Sequence, residues 1–522
     1  KLHFSSSLEL STPLDDHYIG AVVEYEVSRN IEENTANYVK HIKEAAAQQA
    51  DIIVFPELTL TNRSYTFEVP IYGALKNHPV PALYPLEYDE VIVAISAAAR
   101  ENSIYVVINA RELMDCTDSA KVSGEYCPEQ KKYVFNTNVV FDRTGAVIDR
   151  YRKINLFGEA GHTPALRPDL GVFETDFGVK FGHFICFDLM FQVPAVQVVQ
   201  KENIKNVIFP TMWFSELPYL SAVQIQEAYA YSLDVNFLGA GANQVRVGSA
   251  GSGIYSGKAG ALVSIMPGVQ TTRLLVARVP KVPGQVSGTY PGPIYDNPSD
   301  HDNLRLIIDP SLAAHVSRLL VPGFQEFSLT DGDVTCTFRV KLSQRDNTRY
   351  RYRAGAFSGV RSFSGVATGG MRACSVYACT GESRTTCGTR FSTYEANTTA
   401  MFDELSIVAN LPTPVRNPEL NTDNSIVYPV SVSVSILPLE SSEYTYASNT
   451  NGNNVTHTMT LVNNAAELYT FAVWSRQFTT DGLDADPPLQ DDVTPAEPAP
   501  GAATIHILSN VLIAIVALLY IH

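Results

Sequence analysis

The stretch HYIGAVVEYEVSRNIEENTANYVKHIKEAAAQQADIIVFPE, residues 17–57, changes its periodicity twice. Residues 17–26 are nearly continuously apolar, as in a strand covered on both faces. Residues 34–50 place apolar side chains at helical spacing among good helix formers. DIIVFPE, residues 51–57, is a second buried strand that ends on an acid. Strand, helix, strand is α/β grammar, and it continues outward. LEYDEVIVAISAAARENS (86–103) reads as a helix and IYVVINARE (104–112) as a strand. KYVFNTNVVFDRTGAVIDRYRK (132–153) is a hairpin about Asp142-Arg143-Thr144-Gly145. VKFGHFICFD (179–188), a helix through VPAVQVVQKEN (193–203) and the strand in NVIFPTMW (206–213) repeat the rhythm.

Past about residue 325 the grammar changes. DVTCTFRVKL, SIVYPVSVSVSIL, VTHTMTLV and LYTFAVW alternate with period two, so this half is expected to be mostly β. Residues 341–400, rich in Gly, Ser, Thr, Arg and Cys, show no pattern. The expected division is an α/β catalytic-type domain over 17–320 and a mostly β domain over 325–478. An acidic, Pro-rich stalk over 479–500 and an apolar tail over 501–522 follow.

A chain of 522 residues with 45% hydrophobic content has enough core to fold without disulfides. Lys plus Arg number 38 against 54 Asp plus Glu, a net charge of −16. That balance excludes a nucleic-acid binder, which needs basic residues against phosphate, and a polybasic membrane-surface protein.

Three residues are candidates for chemistry. Cys186 ends an apolar strand in FICFDLMF, just before an expected helix. A helix N-terminus favours a thiolate and can hold an oxyanion; the alternative is a buried structural cysteine. Glu57 stands at the carboxyl end of a strand, where open α/β proteins bind ligands. Lys153, in RYRKINLFGE, follows the hairpin and reads alone as a surface charge. His162 and His183 lie nearby without partners at metal-ligand spacing, so both read as structural and no metal is expected.

Taken together, F-P-E, Y-R-K-x-N-L-F-G-E and C-F-D, in this order, resemble the nitrilase superfamily of carbon–nitrogen hydrolases. FNTNVVFDRTG, CFDLMFQVPAV, NVIFPTMWFSELPYLSAVQIQEAYA, NFLGAGAN and GSGIYSG narrow the resemblance to its vanin and biotinidase branch. The resemblance implies an α-β-β-α sandwich followed by the branch's β-rich domain. It implies Cys186 as nucleophile, Glu57 as general base, and Lys153 with the Phe187 backbone N–H as oxyanion stabilisers. Desolvation of Glu57 would raise its pKa and suit it to base work. Glu159 matches a supporting acid, or is a surface acid; Trp213 lines the substrate pocket, or is a core aromatic. The implied reaction is hydrolysis of a linear amide without a cofactor. Pantetheine is first as the small-molecule substrate and biotin amides second, and a silent anchored surface protein is the remaining alternative.

Seven cysteines fit an oxidising compartment. Cys116 and Cys127 are expected to pair, Cys336, Cys374, Cys379 and Cys387 to pair among themselves in one of three ways, and Cys186 to stay free. Asn62, Asn397 and Asn454 head sequons for glycosylation. Gly501-Ala502-Ala503, a spacer and VLIAIVALLYI (511–521) fit a glycosylphosphatidylinositol signal with Gly501 as the attachment point. A lipid-anchored protein on the extracellular face of the cell membrane is the expectation; the oligomeric state stays open.

Overall fold

A computed structural model describes residues 10–61, 64–69, 79–117, 127–286, 292–295 and 297–489. Asn62, the stalk beyond residue 489, Gly501 and the apolar tail lie outside them.

The first half runs β1 (His17–Glu26), α1 (Ile31–Ala47), β2 (Ile52–Val54), α2 (Glu90–Asn102), β3 (Tyr105–Asp115), β4 (Lys132–Phe141) and β5 (Val147–Arg152). It continues with β6 (Gly171–Glu174), β7 (Lys180–His183), α3 (Gln197–Glu202), β8 (Asn206–Thr211), β9 (Glu216–Leu217), α4 (Ala222–Leu233) and β10 (Asn236–Asn243). β11 (Ser252–Ser256), β12 (Ala261–Ile265), β13 (Arg273–Pro280) and β14 (Ile294–Tyr295) complete it. Two sheets result, ordered β13-β1-β2-β3-β4-β5 and β6-β7-β8-β10-β11-β12-β14. Among the described residues they join where Tyr25 and Glu26 of β1 meet Ala242 and Asn243 of β10.

Strand alternation sorts the side chains into layers. Tyr18 and Val22 of β1 face Ile208 of β8 and Leu238 of β10, forming the layer between the sheets. Ala21, Val23 and Tyr25 point the other way, onto Tyr38 and Ile42 of α1 and Val91 and Ile95 of α2. Asn30 and Asp89 cap these two helices by accepting from Glu33 and Val91 backbone N–H groups. At the β4–β5 turn Gly145 takes φ +80, and a β-carbon there would lie 2.4 Å from the Ser96 carbonyl oxygen, so only glycine fits. The buried helix α4 covers the second sheet, packing on β11. This is the α-β-β-α sandwich of the nitrilase fold.

One expected helix is shorter than its pattern. VPAVQVVQKEN is α-helical only over Gln197–Glu202, because Pro194 disfavours the helical region at the residue before it. Val193 is extended, at φ −113 and ψ 119.

β15 (Ile307–Ile308) pairs with β9, and β16 (Val316–Leu319) begins the second domain. There follow β17 (Gly323–Asp331), β18 (Val334–Ser343), β19 (Arg351–Phe363), β20 (Ala367–Cys379), β21 (Met401–Pro412), β22 (Arg416–Asn417) and β23 (Thr422–Asp423). β24 (Ser425–Ser433), β25 (Tyr444–Asn451), β26 (Asn454–Leu461) and β27 (Leu468–Gln477) complete it. The longer strands form two antiparallel sheets, β16-β19-β20-β27-β24 and β17-β18-β21-β26-β25. Cys336 and Cys374 form a disulfide between β18 and β20, tying one sheet to the other; Cys379 pairs with Cys387 and Cys116 with Cys127. β24 packs against α4, and one apolar cluster runs from Phe184 and Phe209 of the first domain to Trp474 of β27. Residues expected to start the stalk lie along this domain. The Asp486 N–H donates to the Val360 carbonyl, the Val360 N–H donates to the Asp486 carboxylate, and the Leu489 N–H donates to the Ala313 carbonyl.

Candidate active site

Glu57, Lys153 and Cys186 come from three separate strand ends and meet, all buried. Lys153, the first residue after β5, places its Nζ 2.7 Å from Glu57 Oε1 and 2.5 Å from Glu159 Oε1. Glu57 is held at both oxygens. Asn136 Nδ2 of β4 donates to Oε1 at 2.7 Å, and the Met212 backbone N–H donates to Oε2 at 2.8 Å. The Cys186 thiol donates to the Met212 carbonyl at 3.5 Å. One short segment after β8 thus orients base and thiol together.

The setting of Cys186 differs from the expected helix start. β7 stops at His183, and Cys186–Met190 form a single 3₁₀ turn. Cys186 itself takes φ +48, a left-handed conformation that costs a residue with a β-carbon roughly 1–2 kcal/mol. Asp188 fastens the turn. Its carboxylate accepts from Tyr151 Oη at 2.6 Å, from the Asn155 N–H at 2.8 Å and from the Ile185 N–H at 3.2 Å. Burial raises the Asp188 pKa to about 6, against the pull of Lys153 and these donors.

The thiol is not pre-ionised. Burial and the negative charge of Glu57 push the Cys186 pKa far up, and Lys153 only partly opposes them. Burial would lower the Lys153 pKa, but Glu159 and Glu57 outweigh it and keep the ammonium charged. Burial likewise opposes ionisation of Glu159, and Lys153 overcomes it, holding the pKa below the ordinary value. The resting site therefore pairs a charged Lys153 with carboxylates beside a neutral thiol. For such a thiol to attack a carbonyl, a proton would have to leave Sγ, and the Glu57 carboxyl lies beside it.

A partly enclosed cavity opens on Cys186. Phe157, Phe187, Met190, Trp213, Phe214 and Leu220 supply its apolar wall. Trp213 is a lining residue whose indole N–H is anchored on the Leu220 carbonyl at 2.9 Å. Glu159 is in the site, accepting from Lys153 and from the Phe157 N–H at 2.5 Å. His183 bridges Asp149 (2.8 Å) and Asn138 (3.4 Å) behind the site. His162 sits near Glu159, and burial holds its pKa at about 4, so it is neutral at physiological pH. Asn397 and Asn454 are exposed.

Two groups escaped the sequence reading. Asn109 and Asn138 face each other across β3 and β4; Asn109 donates to Asn136 (2.8 Å) and Asn138 (3.0 Å) and accepts from the Leu58 N–H (2.8 Å). This amide ladder sets Glu57; in the sequence FNTN counts as part of a hairpin and of a branch motif, with no role given to its asparagines. Phe363 and Ser364, which also line the cavity, come from the second domain and left no local signal.

Residues 21–273 match the carbon–nitrogen hydrolase family and residues 313–481 the vanin C-terminal domain. The chain belongs to the carbon–nitrogen hydrolase family, in the vanin branch that joins these two domains. It is 34% identical over 465 residues to Vanin-like protein 1 of Drosophila melanogaster, covering 83% of this chain and 80% of that one. Pantetheinase of Mus musculus is 30% identical over 67% of this chain and 69% of its own. Biotinidase of Takifugu rubripes is 29% identical over 73% and 82%.

Proposed function

We propose that this chain hydrolyses a linear carboxamide through a thioester on Cys186, with pantetheine as the substrate. The observation that carries the reading is the convergence of Glu57, Lys153 and Cys186, with Cys186 opening on an apolar cavity. Glu57 takes the thiol proton as Sγ attacks the carbonyl carbon. The oxygen that becomes negative is met by Lys153 Nζ and the Phe187 backbone N–H. Glu57 then returns the proton to the leaving nitrogen, the C–N bond breaks and the amine departs. Water, deprotonated by Glu57, attacks the thioester; the acid leaves and the thiol is restored. Glu159 and Asn136 keep Lys153 and Glu57 in register.

The test is release of cysteamine from pantetheine by the purified chain, with Cys186→Ala as control. Release that persists in Cys186→Ala would refute the nucleophile. Absence of release, with release of biotin from biocytin, would move the substrate to the class named for the biotinidase relative. Selective alkylation of Cys186 that is lost in Glu57→Gln supports the enzyme over a silent binding protein.

Three disulfides fit an oxidising compartment. We infer a lipid anchor from residues 501–521, and release from cells by a phosphatidylinositol-specific phospholipase tests it.

A further inference from the structure

We propose that Phe363 of the second domain determines which acyl groups the cavity accepts, and that Arg361 and Arg476 are positioning residues that hold it in place. The inference rests on the hydrolase reading above and deepens it. Phe363 ends β19 at a tight turn where the Val366 N–H donates to its carbonyl and Ser364 and Gly365 both take positive φ, +51 and +74. Such a turn is rigid and suits a β-hairpin tip. The Phe363 ring is buried and lies 5.5 Å from that of Phe187, edge to face. Phe187 follows the nucleophile and also packs edge to face with Phe157, at 4.9 Å. The tip thus closes the cavity beside the reacting thiol.

Two buried guanidinium groups flank the tip ring, Arg361 Cζ at 4.4 Å from its centre and Arg476 Cζ at 5.4 Å. Each is fixed elsewhere. Arg361 bridges Glu216 (2.7 Å) and Asp309 (2.9 Å) across the domain boundary, and Glu216 is itself a cavity residue. Arg476 donates to the carbonyl of Met190, the last residue of the nucleophile turn, at 2.9 Å and pairs with Asp481 at 2.8 Å. Planar, delocalised guanidinium groups are suited to stacking and bidentate pairing at once. Two unrelated anchors on one ring go beyond what a domain seam needs. The acyl group stays bonded to Sγ through both half-reactions, so the cavity that holds Sγ must also hold it.

The test uses the full chain and two chromogenic esters, p-nitrophenyl acetate and p-nitrophenyl hexanoate. Their acylation rate constants are read as nitrophenolate bursts. Loss of one apolar wall contact is worth about tenfold or more in selectivity. Phe363→Ala is expected to lower the hexanoate-to-acetate ratio at least about tenfold. Phe363→Leu, which keeps most of the volume, should lower it less, and Arg361→Lys, which keeps the charge but loses the fork, should fall between. A ratio in Phe363→Ala within about twofold of wild type overturns the proposal. So does an equal fall for both esters in Phe363→Ala and Phe363→Leu, which would mark a purely structural residue. A wild-type chain acylated by neither ester removes the hydrolase reading itself, and the inference with it.

Discussion

Lys153 faces two carboxylates and, in the proposed reaction, the place where the oxyanion would form. Lys153→Ala is expected to reduce kcat by about 10²–10³, the cost of one lost oxyanion donor. It should also lower the melting temperature, because Glu57 and Glu159 would be left buried without a cation. A stopped-flow acylation rate with a thermal melt on the same sample checks both. A variant that melts lower but acylates at the wild-type rate would remove Lys153 from the chemistry. His162 gives a contrasting expectation. With its pKa held at about 4, its charge is already gone above pH 5. His162→Gln should therefore leave the shape of the rate–pH profile unchanged between pH 5 and 8. A new or missing limb in that range would show that the imidazole titrates in the working enzyme.

The 3₁₀ turn Cys186–Met190 owes its shape to Asp188 more than to helix propensity. Asp188→Asn replaces an acceptor of several donors with an amide that turns an N–H toward some of them. The expected cost is about 1–3 kcal/mol of stability, with a slower alkylation of Cys186 by iodoacetamide; an unchanged alkylation rate would show that the turn holds itself. Elements of this kind mark where the sequence was legible. Strands with near-continuous apolar runs, such as β1 and β8, and the helix pattern of α2 could be read by period alone, and with them the strand ends bearing Glu57 and Cys186. β19 and β20 could not. They pack small residues under rings, Gly355 against Tyr377 and Gly359 against Phe357, so their alternation is glycine against aromatic rather than polar against apolar. The expected helix over 193–203 was shortened for a different reason: Pro194 holds Val193 extended, and the α-helix begins only at Gln197. The amide ladder of Asn109, Asn136 and Asn138 was invisible because a buried asparagine and an exposed one look alike until the strands are paired.

The two domains share one apolar cluster, so calorimetry is expected to show a single cooperative transition; two separated transitions would mean that the domains unfold independently. The seam also holds Glu227 of α4, buried and facing Glu440 and Glu443 of the second domain, and burial raises its pKa from 4.5 to about 8. Between those values the folded chain keeps a proton that the unfolded chain has lost. The group therefore favours the folded state below about pH 4.5, and this contribution is lost as the pH climbs through 8. Glu227→Gln cannot lose that proton, so the melting temperature of the variant should rise by several degrees relative to wild type on going from pH 5 to pH 8. Parallel melting curves at the two pH values would show that Glu227 is not buried at the seam in solution.

The bond from Arg476 to the Met190 carbonyl joins residues 286 positions apart. At about 5–20 residues per second of synthesis, roughly a quarter of a minute to a minute separates the emergence of the nucleophile turn from that of the arginine that braces it. A newborn chain therefore carries Cys186 well before it carries the brace, and the Phe363 wall of the cavity gains its Arg476 contact only after β27 has left the ribosome. Timing of this kind keeps the site unfinished until the second domain has emerged.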